Sequence, residues 1–153
     1  MHRLLKWTAA LLAAGALLLW PEATFDGHRT FAESRAAKDN LHLLAQVVCG
    51  EARGEPYEGK VAVAAVILNR VEHPEFPNTI AGVIYEPLAF QVVANGTINQ
   101  KADEVSLQAA YDALHGVDPT NGALYFYNPA KTRNRWIRTR PVVKKIGRHI
   151  FTS

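Results

Sequence analysis

The stretch "CGEARGEP", residues 49–56, places two carboxylates, an arginine and two glycines directly behind an apolar run. Glu51 lies three residues after Val48 and seven after Leu44, so on a helix it falls at the edge of the apolar stripe. Partial desolvation and the negative end of the helix dipole would both raise its pKa. Glu55 and Glu58 would add like charge if close, whereas Arg53 would oppose the shift if it paired with Glu51. A carboxyl kept protonated near neutral pH suits a general acid that cleaves an acetal bond. On spacing alone, a glutamate at a helix end is more often simply solvated. A paired-carboxylate glycosidase needs a second acid. Glu55, Glu58, Glu86, Asp103, Asp112 and Asp118 are all available, and nothing in their spacing selects one. A one-carboxylate route, lytic transglycosylation, removes that requirement.

Other chemistries find little support. The six histidines include no HxH or HExxH spacing, so no metal site is expected, and no GxSxG, GxGxxG or P-loop signals a nucleophile elbow or cofactor. Cys49 is the only cysteine and reads as a packing residue. Tyr125, Phe126, Tyr127 and Trp136 could stack on sugar faces or form sheet core. Strand alternation puts Tyr125 and Tyr127 on one face and Leu124 and Phe126 on the other.

Charge is unevenly distributed. Residues 39–122 hold 4 basic and 11 acidic residues, whereas residues 123–153 hold 8 basic and none acidic. The halves either neutralise each other across the fold or leave a basic wall for an anionic polymer. Nucleic acid is not expected, because the start of the chain reads as an export signal. Arg3 and Lys6 precede "WTAALLAAGALLLW", a run shorter than the ~20 residues needed to span a bilayer. Residues 1–32 are therefore expected to be a signal peptide, with an uncleaved anchor as the alternative.

The elements that must position these groups are mostly helical. Residues 33–38 read as a linker, with the globular part beginning at Asp39. Asp39 or Asn40 would cap a helix carrying Leu41, Leu44, Ala45 and Val48 on one side. Pro56 suits the first turn of a second helix, "YEGKVAVAAVILNRV", whose apolar residues on nearly every side mark it as the central element. A short helix from Asn78 to Tyr85 and a longer one opened by Asp103 or Ala102 follow. "ALYFY" and "RWIRT" then predict a hairpin, with "RHIFT" as a third strand. The fold class is α+β, a compact helical part followed by a small antiparallel sheet.

Residues 43–90, "LLAQVVCGEARGEPYEGKVAVAAVILNRVEHPEFPNTIAGVIYEPLAF", together with "DALHGVDPTNGALYFYNPAKTRNRWIRTRPVVKKIGRHIF", resemble the catalytic domain of the SleB/CwlJ-type cell-wall hydrolases, the spore cortex-lytic enzymes. The resemblance covers residues 39–153. It implies a lysozyme/transglycosylase-like fold and an enzyme that cleaves the glycan strands of muramic-lactam-containing cortex peptidoglycan during germination. Lytic transglycosylation is the reaction it favours, with a two-carboxylate hydrolase or a non-catalytic peptidoglycan-binding module as alternatives.

The resemblance further implies Glu51 as the catalytic acid. Arg53 and Glu58 are expected to hold its loop, and Phe90, Tyr125, Tyr127 and Trp136 to contact substrate. No cofactor is expected. Peptidoglycan is the expected partner of a monomer exported to the cortex or cell wall, with an accessory or inhibitory spore membrane protein as a further partner. An N-terminal peptidoglycan-binding repeat domain has no room in the chain, so targeting is expected to come from elsewhere. Leu88, Gln91, Asn95 and Val117 depart from the family pattern of Gly, Thr, Asp and Trp.

Overall fold

A computed structural model describes residues 27–153. The expected signal segment lies outside the described residues up to position 26, and residues 27–32 fall within the first helix. Among the described residues, no helix is long and apolar enough to cross a membrane.

Helix α1 spans Gly27–Glu51, opening well before the expected cap at Asp39 or Asn40. Residues 33–38 are therefore helical rather than a linker. The physical reason is propensity, because "AESRAAK" is rich in Ala, Glu, Arg and Lys, which hold a helix without needing a buried face. Residues 30–40 are exposed, and burial begins with the expected stripe: Leu44, Ala45 and Val48 have no accessible surface.

Helix α2 spans Tyr57–Glu72 with Pro56 as its N-cap, and its residues 61–67 are all buried, as befits a central element. Helix α3, Ile80–Ile84, is capped by Thr79, one residue beyond Asn78; its Oγ1 accepts the Gly82 N–H. Helix α4, Gln91–Ala94, and a 3-10 turn at Thr97–Asn99 follow. Helix α5, Glu104–Leu114, opens on Asp103, whose carboxylate accepts the Ser106 N–H at 2.6 Å. Its buried Ala109, Ala110 and Ala113 let it pack closely on both α1 and α2.

The sheet has three antiparallel strands in the order β1-β3-β2: β1 at Tyr125–Tyr127, β2 at Val142–Ile146 and β3 at His149–Thr152. Phe126 pairs with Phe151, which is fully buried and joins the sheet to the helical core. The hairpin is formed by β2 and β3, not by "ALYFY" and "RWIRT". "RWIRT" is instead helix α6, Arg135–Thr139. Asn134 caps it by accepting the Trp136 N–H at 3.0 Å, and Arg138 donates to the Pro129 and Thr132 carbonyls. Five residues are too few for β-branching at Ile137 and Thr139 to outweigh a cap.

Candidate active site

Glu51 is the last residue of α1 and is half-buried. Its Oε1 accepts the Val92 N–H at 3.2 Å. Val92 lies in the first turn of α4, whose own N-cap, Phe90, supplies no side-chain acceptor. Glu51 thus acts as a capping group from a distant part of the chain. Burial raises its pKa above the ordinary carboxylate value, and the Val92 and Gln91 amides and the Lys131 ammonium offset part of that rise. The Val92 N–H on Oε1 fixes the orientation of the carboxyl.

Gly50 makes this arrangement possible. A Cβ there would run into the Val92 side chain, so only glycine lets the end of α1 approach α4 this closely. Glu51 opens onto a depression of about 370 Å³ whose polar lining comes from Arg53, Gln91, Asn95, Thr97, Gln100 and Lys131. Glu51 is the one carboxylate among the described residues that line it.

The other acids are occupied elsewhere. Glu55 is buried, and its carboxylate accepts the Arg148 N–H at 2.8 Å and the Arg148 Nε–H at 2.7 Å. Burial alone would raise its pKa, but these two hydrogen bonds outweigh it and hold the group below the ordinary range. A Cβ on Gly147 would strike the Glu55 carboxylate, so the glycine of the β2–β3 turn, at φ +55°, is required here. Asp103 caps α5, Asp112 accepts from Tyr57 and Gln108, and Asp118 binds Thr120, Gly122 and Asn69. Glu86 lies on the side of Arg70, and Glu58 is exposed on the first turn of α2. Neither lines the Glu51 depression.

The structure divides the remaining expected site residues. Arg53 lines the depression, but its backbone carbonyl, accepting Arg148 Nη2 at 3.0 Å, is what braces the loop. The cation acting on Glu51 is Lys131. Phe90 is 4% exposed and stacks under the buried Arg70 guanidinium at 5.5 Å, so it supports α4 from the core and cannot offer a sugar-stacking face. Tyr125 and Trp136 meet edge to face at 5.2 Å, with Arg140 over both rings, while Arg138 lies over Tyr127. This aromatic ledge is separate from the residues lining the Glu51 depression. Lys131 and Gln100 escaped the sequence reading, since neither has a pattern that ties it to Glu51.

Of the four positions expected to depart from the family pattern, two lie here, and Val117 lines a different hollow. Gln91 and Asn95 both line the depression, and the Asn95 Oδ1 accepts the Thr97 N–H and hydroxyl. Leu88, just before α4, is held at φ +65° with its side chain 96% exposed.

Residues 54–152 match a family described as Cell Wall Hydrolase. Glu51 stands three residues ahead of that match. Spore cortex-lytic enzymes of Bacillus subtilis and Bacillus cereus are 55% and 54% identical over 115 residues. Those residues are 75% of this chain and 38% and 44% of the relatives, so the chain spans less than half their length. The crystal structure of the catalytic domain of the Bacillus cereus SleB protein superposes with a TM-score of 0.72 at 53% identity, covering 76% of this chain and 91% of that one. The catalytic domain of a germination-specific lytic transglycosylase, SleB from Bacillus anthracis, gives 0.73 at 52%, covering 76% and 95%.

Proposed function

The chain belongs to the cell wall hydrolase family, and on that premise we propose that it cleaves the glycan strands of spore-cortex peptidoglycan as a lytic transglycosylase. The observation that carries this reading is the solitary carboxylate: Glu51 alone supplies an acid to its depression among the described residues. The named activity of the Bacillus anthracis relative agrees with it.

In this mechanism, the protonated Glu51 donates its Oε2 proton to the glycosidic oxygen as the C1–O bond of the muramic residue breaks. The carboxylate left behind takes the proton of the same residue's C6 hydroxyl as that oxygen attacks C1. A 1,6-anhydro ring closes, Glu51 regains its proton, and no water is consumed. Throughout, the Val92 N–H holds Oε1 in place, and it stabilises the carboxylate during the interval when Glu51 is charged. Lys131 supports the same charged interval.

The two-carboxylate alternative needs a second acid facing Glu51 across a substrate, and Glu55 is committed to Arg148. We further read the chain as exported, on the strength of the signal-like residues 1–32. The test is to incubate the wild type and Glu51→Gln with lactam-containing cortex fragments. Release of soluble muropeptides by the wild type but not by the variant is expected. Release at equal rates would remove Glu51 from the chemistry.

A further inference from the structure

A second depression, of about 460 Å³, adjoins the first, and Lys131 belongs to the lining of both. Its charged lining comes from Lys131, Lys145 and Arg148, and no carboxylate lines it. Glu55 neutralises Arg148 from behind the Gly147 turn, so the uncompensated charge belongs to the exposed Lys131 and Lys145. His149 also lines this depression; it is 7% exposed, and its buried Nδ1 has no hydrogen-bond partner among the described residues. The hollow therefore offers two exposed ammonium groups without a counter-charge, beside a buried ring nitrogen that has no partner among the described residues.

We infer that this depression binds a carboxylate of the peptide stem carried by a sugar next to the cleaved bond. The inference rests on the reading of peptidoglycan as the substrate, and it deepens that reading. Glycan hydroxyls alone give two lysines nothing to neutralise, whereas a stem peptide ending in free carboxylates does. Because the wall at Lys131 is shared, a stem engaged here fixes the strand's register over Glu51. The site therefore acts in substrate choice and positioning, and the proton transfers remain with Glu51.

The experiment is a calorimetric titration of the Glu51→Gln variant, with and without Lys145→Glu, using a soluble stem-bearing glycan oligomer and the same oligomer with its stem carboxylates amidated. The free-carboxylate ligand should bind more tightly than the amidated one. Lys145→Glu should weaken the former about five- to tenfold and the latter far less, as expected when an attraction becomes a repulsion. The matching reversal Lys38→Glu, on the exposed part of α1, should leave the preference between ligands intact. Equal affinity for the two ligands, or a preference that Lys145→Glu leaves unchanged while circular dichroism shows a folded protein, would overturn the inference. Binding is read separately from turnover, so wild-type protein that prefers the free-carboxylate ligand but cleaves no cortex would refute the proposed reaction and leave this site standing.

Discussion

At Glu51 the Val92 amide holds Oε1, and the proposed reaction assigns the transferred proton to the other carboxyl oxygen. Glu51→Gln keeps an acceptor for Val92 but has no proton to give, so turnover should fall by about 10²–10⁴ with the fold intact. Stability gives an independent check. The folded-state pKa of Glu51 is raised, so its contribution is fully present below the unfolded value and is lost as pH rises through the folded pKa. Thermal melts should therefore show the variant gaining on the wild type as pH climbs from about 4.5, with the gap levelling once Glu51 is ionised. Lys131→Gln removes a charge that lowers the Glu51 pKa, so the alkaline limb of the pH–rate profile should move to higher pH. The apolar stripe of α1 made Glu51 visible in the sequence. Lys131 was not legible, because the loop after β1 returns it to Glu51 only through the tertiary fold.

Between elements, the site depends on how closely α1 meets α4. Gly50→Ala forces a methyl into Val92 and should cost about 1–3 kcal/mol on chemical denaturation, with a larger loss of activity because the Val92 donor moves. Leu88 makes the opposite prediction. Its left-handed backbone costs a non-glycine residue roughly 1–2 kcal/mol, and its exposed side chain loses no packing on removal. After the entropy of a new glycine, about 0.5–1 kcal/mol, Leu88→Gly should stabilise the protein by roughly 0.5 kcal/mol, read as a rise in the urea midpoint. The buried parts of the long helices were legible because apolar residues recur over several turns, whereas the exposed first half of α1 carries no stripe. α4 and α6 were not: four or five residues carry no period, and caps from Glu51 and Asn134 decide their conformation. Val142–Ile146 escaped as a strand because four of its five residues are exposed, which hides the alternation that marks a half-buried strand.

Across the whole molecule, the Glu55–Arg148 pair ties the loop after α1 to the β2–β3 turn, residues far apart in the chain. Arg148→Ala would leave the buried Glu55 with the backbone N–H of residue 148 alone and no opposing charge, and should destabilise by about 2 kcal/mol, discounted for the guanidinium's exposure. The Glu55 pKa is depressed, so its contribution is present above the ordinary carboxylate value and is lost as pH falls through the lower folded pKa. The acid-unfolding midpoint of Arg148→Ala should accordingly lie at higher pH than that of the wild type. The charge asymmetry along the chain is partly internal: Arg148 neutralises Glu55 across the fold, while Lys131 and Lys145 stay exposed. Whether one carboxylate suffices is decided by mass spectrometry of the products formed from cortex glycan in ¹⁸O-labelled water. Anhydromuramic ends carrying no label are expected. Reducing ends with one labelled oxygen would show that water had attacked C1 and would contradict the one-carboxylate route.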